Sequence, residues 1–162
     1  MEKHNTQESY LSFKLGKETF ASNVSKVLNI LEMPTITEVP QAPAYMVGVM
    51  NLRGAVLPVI DSRVKFGMSS TKVTTNTCVL VLEIDTDNES ITIGALVDTV
   101  EKVLEIEEDK INPSPSIGTT YKTEFIQGMV EKDEGFIMIL NMDKVFTSRD
   151  IITIQDNLET AE

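Results

Sequence analysis

Histidine and cysteine occur once each among these 162 residues, and tryptophan not at all. The one histidine, His4, lies in a polar leader. That leaves no Ser–His pair, no histidine acid–base couple and no multi-histidine metal site. Cys78 cannot close an internal disulfide, which suits a reducing compartment. It opens an apolar run with no histidine to activate it, so it reads as a buried structural thiol. No glycine-rich phosphate loop is present. No apolar run reaches the roughly 18–20 residues that cross a bilayer. Residues 1–9 are too polar for a secretory signal and read as a disordered leader. Positive charge is scarce as well: 14 basic against 25 acidic side chains give a net charge of -11. Only Arg53, Arg63 and Arg149 carry a guanidinium, and the lysines are scattered along the chain. Phosphate backbones and anionic lipid would repel such a surface. Nucleic-acid binding and direct membrane insertion are therefore not expected, nor is a bound cofactor or metal.

What is present is a chain of strands. Apolar residues make up 41%, enough for a real interior. Residues 10–15 alternate so that Leu11, Phe13 and Leu15 share a face, and Gly16-Lys17 turns the chain back. Val24, Val27, Leu28 and Leu31 follow at helical spacing and predict a short helix or turn. Residues 46–52 and 55–60 flank Arg53-Gly54 as a hairpin. Pro58 in the returning strand cannot donate to a ladder, which predicts an edge or a bulge there. Residues 78–82 read as a strand buried on both faces, turning through a polar segment at 85–89 into a partner strand. Asp85, Asp87 and Glu89 have the opening spacing of a calcium loop. Ser90 and Leu96 then stand where glycine and glutamate are needed, so a hairpin turn is the reading. A last hairpin joins residues 125–130 to 136–140, and the tail from 156 to 162 is polar and flexible.

The chain also repeats. At an offset of 80, Gly48 matches Gly128, Tyr45 matches Phe125 and Asp61 matches Asn141. Upstream, at an offset of 76, Val27/Val103, Leu28/Leu104 and Ile30/Ile106 agree. Two related β-units, near 10–67 and 77–147, would each be marginal alone and would share a core. Gly48 and Gly128 are expected at equivalent crowded or positive-φ positions. Asp61 and Arg63 are expected to form a structural ion pair or hydrogen-bonded corner. The copies differ at the hairpin tip: Asn51-Leu52-Arg53-Gly54 in the first, Glu131-Lys132-Asp133-Glu134 in the second. Function is expected where the framework repeats and the tip does not. Arg53, a rigid donor fork beside Leu52, has the make-up of an interface anchor, or of a surface arginine paired with a carboxylate.

Asn51-Leu52-Arg53-Gly54, then Val56-Leu57-Pro58-Val59-Ile60-Asp61-Ser62-Arg63 and Lys65-Phe66, resembles the signature segment of the CheW-like family of bacterial chemotaxis coupling proteins. The likeness runs from about Tyr10 to Phe146 and includes Gly94, Val97, Asp98 and the loop around Pro113 and Pro115. It departs where the family often has Val-x-Glu-Ile, since Asn29 stands in the acidic place, and Ser62 replaces a common leucine. The resemblance implies a mainly β fold of two SH3-like five-stranded β-barrels packed about a shared hydrophobic core, with short helices, over residues 10–155. It implies a non-enzymatic adaptor, monomeric when isolated and cytoplasmic, recruited to membrane-associated receptor arrays. Its partners would be the cytoplasmic tip of methyl-accepting chemoreceptors and the regulatory domain of the histidine kinase CheA. Asn51, Leu52, Arg53 and Gly54 would carry receptor binding, with Val27 and Val103 lining a groove between the barrels. Two other readings of the chain are an adaptor for a non-chemotaxis pathway, such as pili or biofilm, and a small-ligand-binding β-barrel.

Overall fold

The computed structural model describes residues 7–86, 89–112, 125–132, 135–145, 150, 153, 154 and 156. Ten strands dominate them: β1 (Gln7–Leu15), β2 (Glu18–Asn23), β3 (Val27–Glu32), β4 (Met46–Leu52), β5 (Ala55–Asp61), β6 (Cys78–Asp85), β7 (Ser90–Val97), β8 (Thr99–Glu107), β9 (Ile126–Lys132) and β10 (Gly135–Leu140). Two one-turn helices, α1 (Ser62–Lys65) and α2 (Met142–Val145), follow β5 and β10. The fold class is as expected: mainly β, two five-stranded units, few short helices.

The units are exchanged. One sheet has the order β8-β1-β2-β10-β9 and the other β3-β6-β7-β5-β4. The two orders are the same pattern, with the β1–β2 hairpin answering to β6–β7 and β8, β9 and β10 answering to β3, β4 and β5. Each hairpin therefore completes the sheet made by the other half of the sequence. Leu11, Phe13 and Leu15 leave the first sheet to meet Ile60, Leu82 and Ile93 of the second in one central core. Smaller clusters fill each unit, around Tyr10, Leu104 and Ile137 in one and Met50, Leu57 and Val79 in the other. Phe13, Phe20, Phe66 and Phe125 stack in series through the central core, so aromatic surface ties the end of α1, which follows β5 of the second sheet, to the first sheet.

The repeat at 80 is visible atom by atom. Gly48 pairs with Val59 and Gly128 with Ile139, each beside a register shift. A Cβ on Gly48 would lie 2.2 Å from the Thr37 carbonyl oxygen, and one on Gly128 2.6 Å from that of Asn112. Those two residues bridge Val49 and Met129. Further on, the Asp61 and Asn141 N–H groups donate to Tyr45 and Phe125 carbonyls at 2.7 and 2.8 Å. Both side chains then cap their helices, accepting from the N–H of Arg63 and of Asp143 at 3.0 and 3.1 Å.

Four expectations need correction. The short helix or turn expected from Val24 to Leu31 is confined to a three-residue 3₁₀ turn, Val24–Lys26, and the rest is β3, because pairing with β6 overrides local spacing. The leader is shorter than nine residues: Gln7, Glu8 and Ser9 already pair with β8. Residues 1–6 lie outside the described residues, as do the tip 133–134, the loop around Pro113 and Pro115, Phe146, and the tail beyond Asp156. Pro58 is neither on an edge strand nor at a bulge: β5 lies between β7 and β4, and the β4–β5 register shift falls between the Gly48–Val59 and Met46–Ile60 pairs. Its missing donor is tolerated because the β5–β7 ladder begins only at Val59. Cys78 is half-buried rather than buried, and its thiol donates to the Asn76 carbonyl at 3.2 Å.

The offset of 76 holds only as far as Val27. Val27 faces Leu82 as Val103 faces Leu11, but then Asn29 faces Val81 as Leu104 faces Tyr10. Leu28 is the extra, bulged residue, so beyond it the offset is 75. Leu28 and Ile30 are accordingly 53% and 45% exposed, whereas Leu104 and Ile106 are each 6% exposed. A one-residue slip sends matched side chains to opposite faces.

Candidate functional site

The hairpin β4–β5 closes on two residues, Arg53 and Gly54, with φ of 54° and 88°. Positive φ at both central positions suits the right-handed twist of the flanking strands. Gly54 accepts that geometry without cost, and nothing lies near where its Cβ would be. Arg53 does not: a side chain in the left-handed region costs on the order of 1 kcal/mol. The tip is held from inside, since the Asn51 carboxamide oxygen accepts the Gly54 N–H at 2.9 Å. This Asx-type closure explains why asparagine precedes the tip.

Asn51, Arg53 and Gly54 are exposed, and so are Ala55 and Val56, while Leu52 is half-buried against the core cluster beneath. The Arg53 guanidinium has no ion pair or hydrogen bond among the described residues. No carboxylate among the described residues pairs with it. The result is an outward cation on an apolar step, on a rigid turn.

Arg63 does the opposite. Its Nε donates to Asp98 Oδ1 at 2.7 Å, and Nη2 makes the second contact to Asp98 Oδ2. Asp98 also accepts the Gly16 N–H at 2.7 Å, so one carboxylate ties α1, the β7–β8 corner and the β1–β2 turn. The Arg63 hydrogen bond outweighs partial burial and holds the Asp98 carboxyl below the usual carboxylate range. The expected Asp61–Arg63 hydrogen-bonded corner is present, made by the Arg63 N–H, while the two side chains form no ion pair with each other. Asp61, buried, accepts from the Arg63 N–H and from the N–H and hydroxyl of Thr71 at 2.9 and 2.7 Å. Sequence reading missed Asp98 as the partner because the two are 35 positions apart.

A second network anchors the same region. Lys65 Nζ lies 2.6 Å from Asp150 and 4.8 Å from the centre of the Tyr45 ring. Burial, with the Asp150 carboxylate beside it, pushes the Tyr45 hydroxyl up to about 12. Lys26, before β3, bridges Asp85 at the end of β6 and Asp143 of α2 at 2.7 and 2.8 Å. Asp85, the first residue of the calcium-like spacing, is therefore engaged by a lysine and by Ser90.

The structure brings Asn51, Leu52, Arg53 and Gly54 into one tip. It does not join Val27 and Val103 to them: Val27 is half-buried on edge strand β3, and Val103 is 57% exposed on edge strand β8 of the other sheet.

The CheW-like domain family model matches residues 9–150 of this chain. The chain belongs to the CheW-like domain family. It is 32% identical over 140 residues to a chemotaxis protein CheW of Rhizobium meliloti, covering 86% of this chain and 88% of that one. A chemotaxis protein CheW of Klebsiella aerogenes is 30% identical over 149 residues, covering 92% and 87%. Among solved structures, the scaffolding protein TtCheW of Thermoanaerobacter tengcongensis matches with a TM-score of 0.77 at 28% identity, over 90% of this chain and 96% of that one. The CheW-like domain thus supplies the two-unit frame described above. Within the frame, the Arg53 tip carries a sequence that the second copy does not repeat.

Proposed function

We propose that this chain is a non-enzymatic coupling adaptor that joins the helical cytoplasmic tips of chemoreceptors to a CheA-like histidine kinase. One observation carries the reading: Arg53 is exposed, unpaired among the described residues and held at positive φ by Asn51 and Gly54. A cation left free beside apolar surface, on a strained and braced turn, suits recognition better than stability. Its planar fork matches a carboxylate, amide or carbonyl on a receptor helix, and Leu52 and Val56 supply the apolar surround. Val27 and Val103, on two different edge strands and not joined to the tip, are separate contact points in this reading. The regulatory domain of the kinase engages other faces of the two sheets. The adaptor works at the inner surface of receptor arrays by binding receptors rather than lipid, which its charge of -11 would disfavour.

The decisive experiment mixes the chain with receptor cytoplasmic fragments and the kinase and follows autophosphorylation. Receptor-dependent activation is expected with the native chain and lost with Arg53→Ala, while direct kinase binding persists. Activation that survives Arg53→Ala removes the tip from the site.

A further inference from the structure

The first half of the chain ends with α1 and the second begins with β6, so a single linker, residues 66–77, joins them. Four strand pairings stay within a half: β1–β2, β4–β5, β6–β7 and β9–β10. The other four, β1–β8, β2–β10, β3–β6 and β5–β7, are made between halves. So are the Arg63–Asp98, Lys26–Asp85 and Lys65–Asp150 pairs. Each half is the binding partner of the other, and none of these contacts requires that both belong to one molecule.

The linker is anchored from both sides. On the first-half side, the Thr71 N–H and hydroxyl donate to the Asp61 carboxylate at 2.9 and 2.7 Å. On the second-half side a turn closes: the Thr77 N–H donates to the Thr74 carbonyl at 3.2 Å, and the Thr77 hydroxyl accepts the Thr74 N–H at 2.8 Å. Between the anchors stand Lys72 and Val73, both exposed and without a hydrogen bond among the described residues. Redirecting these two residues breaks neither anchor and no strand pairing. A short hinge between fixed ends invites exchange between copies. Two exchanged copies bring their hinges together at a two-fold axis, where Val73, 57% exposed in the single chain, gains cover.

We propose that this chain forms a reciprocally exchanged homodimer hinged at Lys72–Val73, in which the first half of one copy completes both sheets with the second half of the other. β4 and β5 stay together in the first half, so each lobe keeps one whole Arg53 tip and the dimer displays two. The inference stands apart from what that tip binds. Both forms make the same contacts between halves, so concentration during folding sets their balance. Halves tethered by a short linker meet at an effective concentration in the millimolar range. Refolding near that concentration lets halves of different copies meet, and the product persists because reversal must separate both sheets.

The test refolds the full chain from denaturant at about 10 µM and at about 1 mM, then measures mass by light scattering after dilution to one concentration. The dimer share is expected to rise from under about a tenth to about a third or more, and to survive the dilution. Exchange is read with Ser9→Cys and Glu105→Cys, facing residues of β1 and β8, in a Cys78→Ser chain treated with a short bis-maleimide. In an exchanged dimer the link joins two chains on a denaturing gel. A dimer whose links stay within one chain overturns the proposal and is a surface contact. Deleting Lys72 and Val73 should make the dimer the main species at about 10 µM, and a Gly-Ser insertion there should restore the monomer. Monomer at every refolding concentration, or a dimer share indifferent to hinge length, also overturns it. If the shortened chain does not fold, the refolding series and the lengthened chain decide.

Discussion

Arg53 and Arg63 lie ten positions apart and do opposite work. Arg63 spends its donors inside the molecule on Asp98, whereas Arg53 keeps its donors outward on a turn that arginine does not favour. Asparagine tolerates the left-handed region better than arginine does. Arg53→Asn is therefore expected to leave the melting temperature unchanged or raise it, by up to about 1 kcal/mol of stability, while abolishing receptor-dependent kinase activation. Thermal denaturation beside a coupled kinase assay checks both halves. A lowered melting temperature would mean that Arg53 makes a stabilising contact. Gly54→Ala should act conversely, costing about 1 kcal/mol because alanine cannot adopt φ 88° freely.

Among elements, the bridge from β4 to Thr37 and the bridge from β9 to Asn112 are the same device used twice. Each needs the strand to pass where a side chain would collide with a carbonyl. Gly48→Ala and Gly128→Ala should each destabilise by roughly 1–3 kcal/mol in urea unfolding, with similar magnitudes. An innocuous change at one glycine and a severe one at the other would break their equivalence. The Arg63–Asp98 pair joins α1 to two strand corners and has a pH signature. Asp98 titrates lower in the folded chain than in the unfolded one. Its contribution is thus fully present above the unfolded carboxylate value, near about 4, and is lost as pH falls through the folded value. Unfolding free energy followed from pH 7 downward should show this loss, and Asp98→Asn should be less stable at neutral pH with a flatter acid limb. An acid limb unchanged in Asp98→Asn would assign the pH dependence to other carboxylates.

For the whole molecule, the exchange of hairpins sets the unit of folding. A fragment of residues 7–67 contains β1 and β2 without β8, and β3 without β6. The first sheet keeps only its β1–β2 hairpin, the second loses its two inner strands β6 and β7, and Leu11, Phe13 and Leu15 lose Leu82 and Ile93. Such a fragment is expected to be unfolded by circular dichroism, as is residues 77–147, and the intact chain is expected to unfold in one transition. A cooperatively folded half would contradict the exchange.

Strands, turns and the tip were legible in the sequence because they depend on neighbours in the chain. Alternation put Leu11, Phe13 and Leu15 on one face, and Asn51 with Gly54 marked a tight hairpin whose arginine stood out from the other copy. The family signature added the pattern of two five-stranded units. What the sequence could not disclose are contacts between distant segments. Leu28 and Ile30 match Leu104 and Ile106 in letters, yet a single bulged residue turns them outward, because strand faces alternate and only the pairing partner sets the register. Asp98 as the partner of Arg63 and the crossing of each hairpin into the other half's sheet follow the same rule. Local chemistry chose the elements. The burial of apolar surface between them chose which distant residues meet, and those choices placed the structural ion pair.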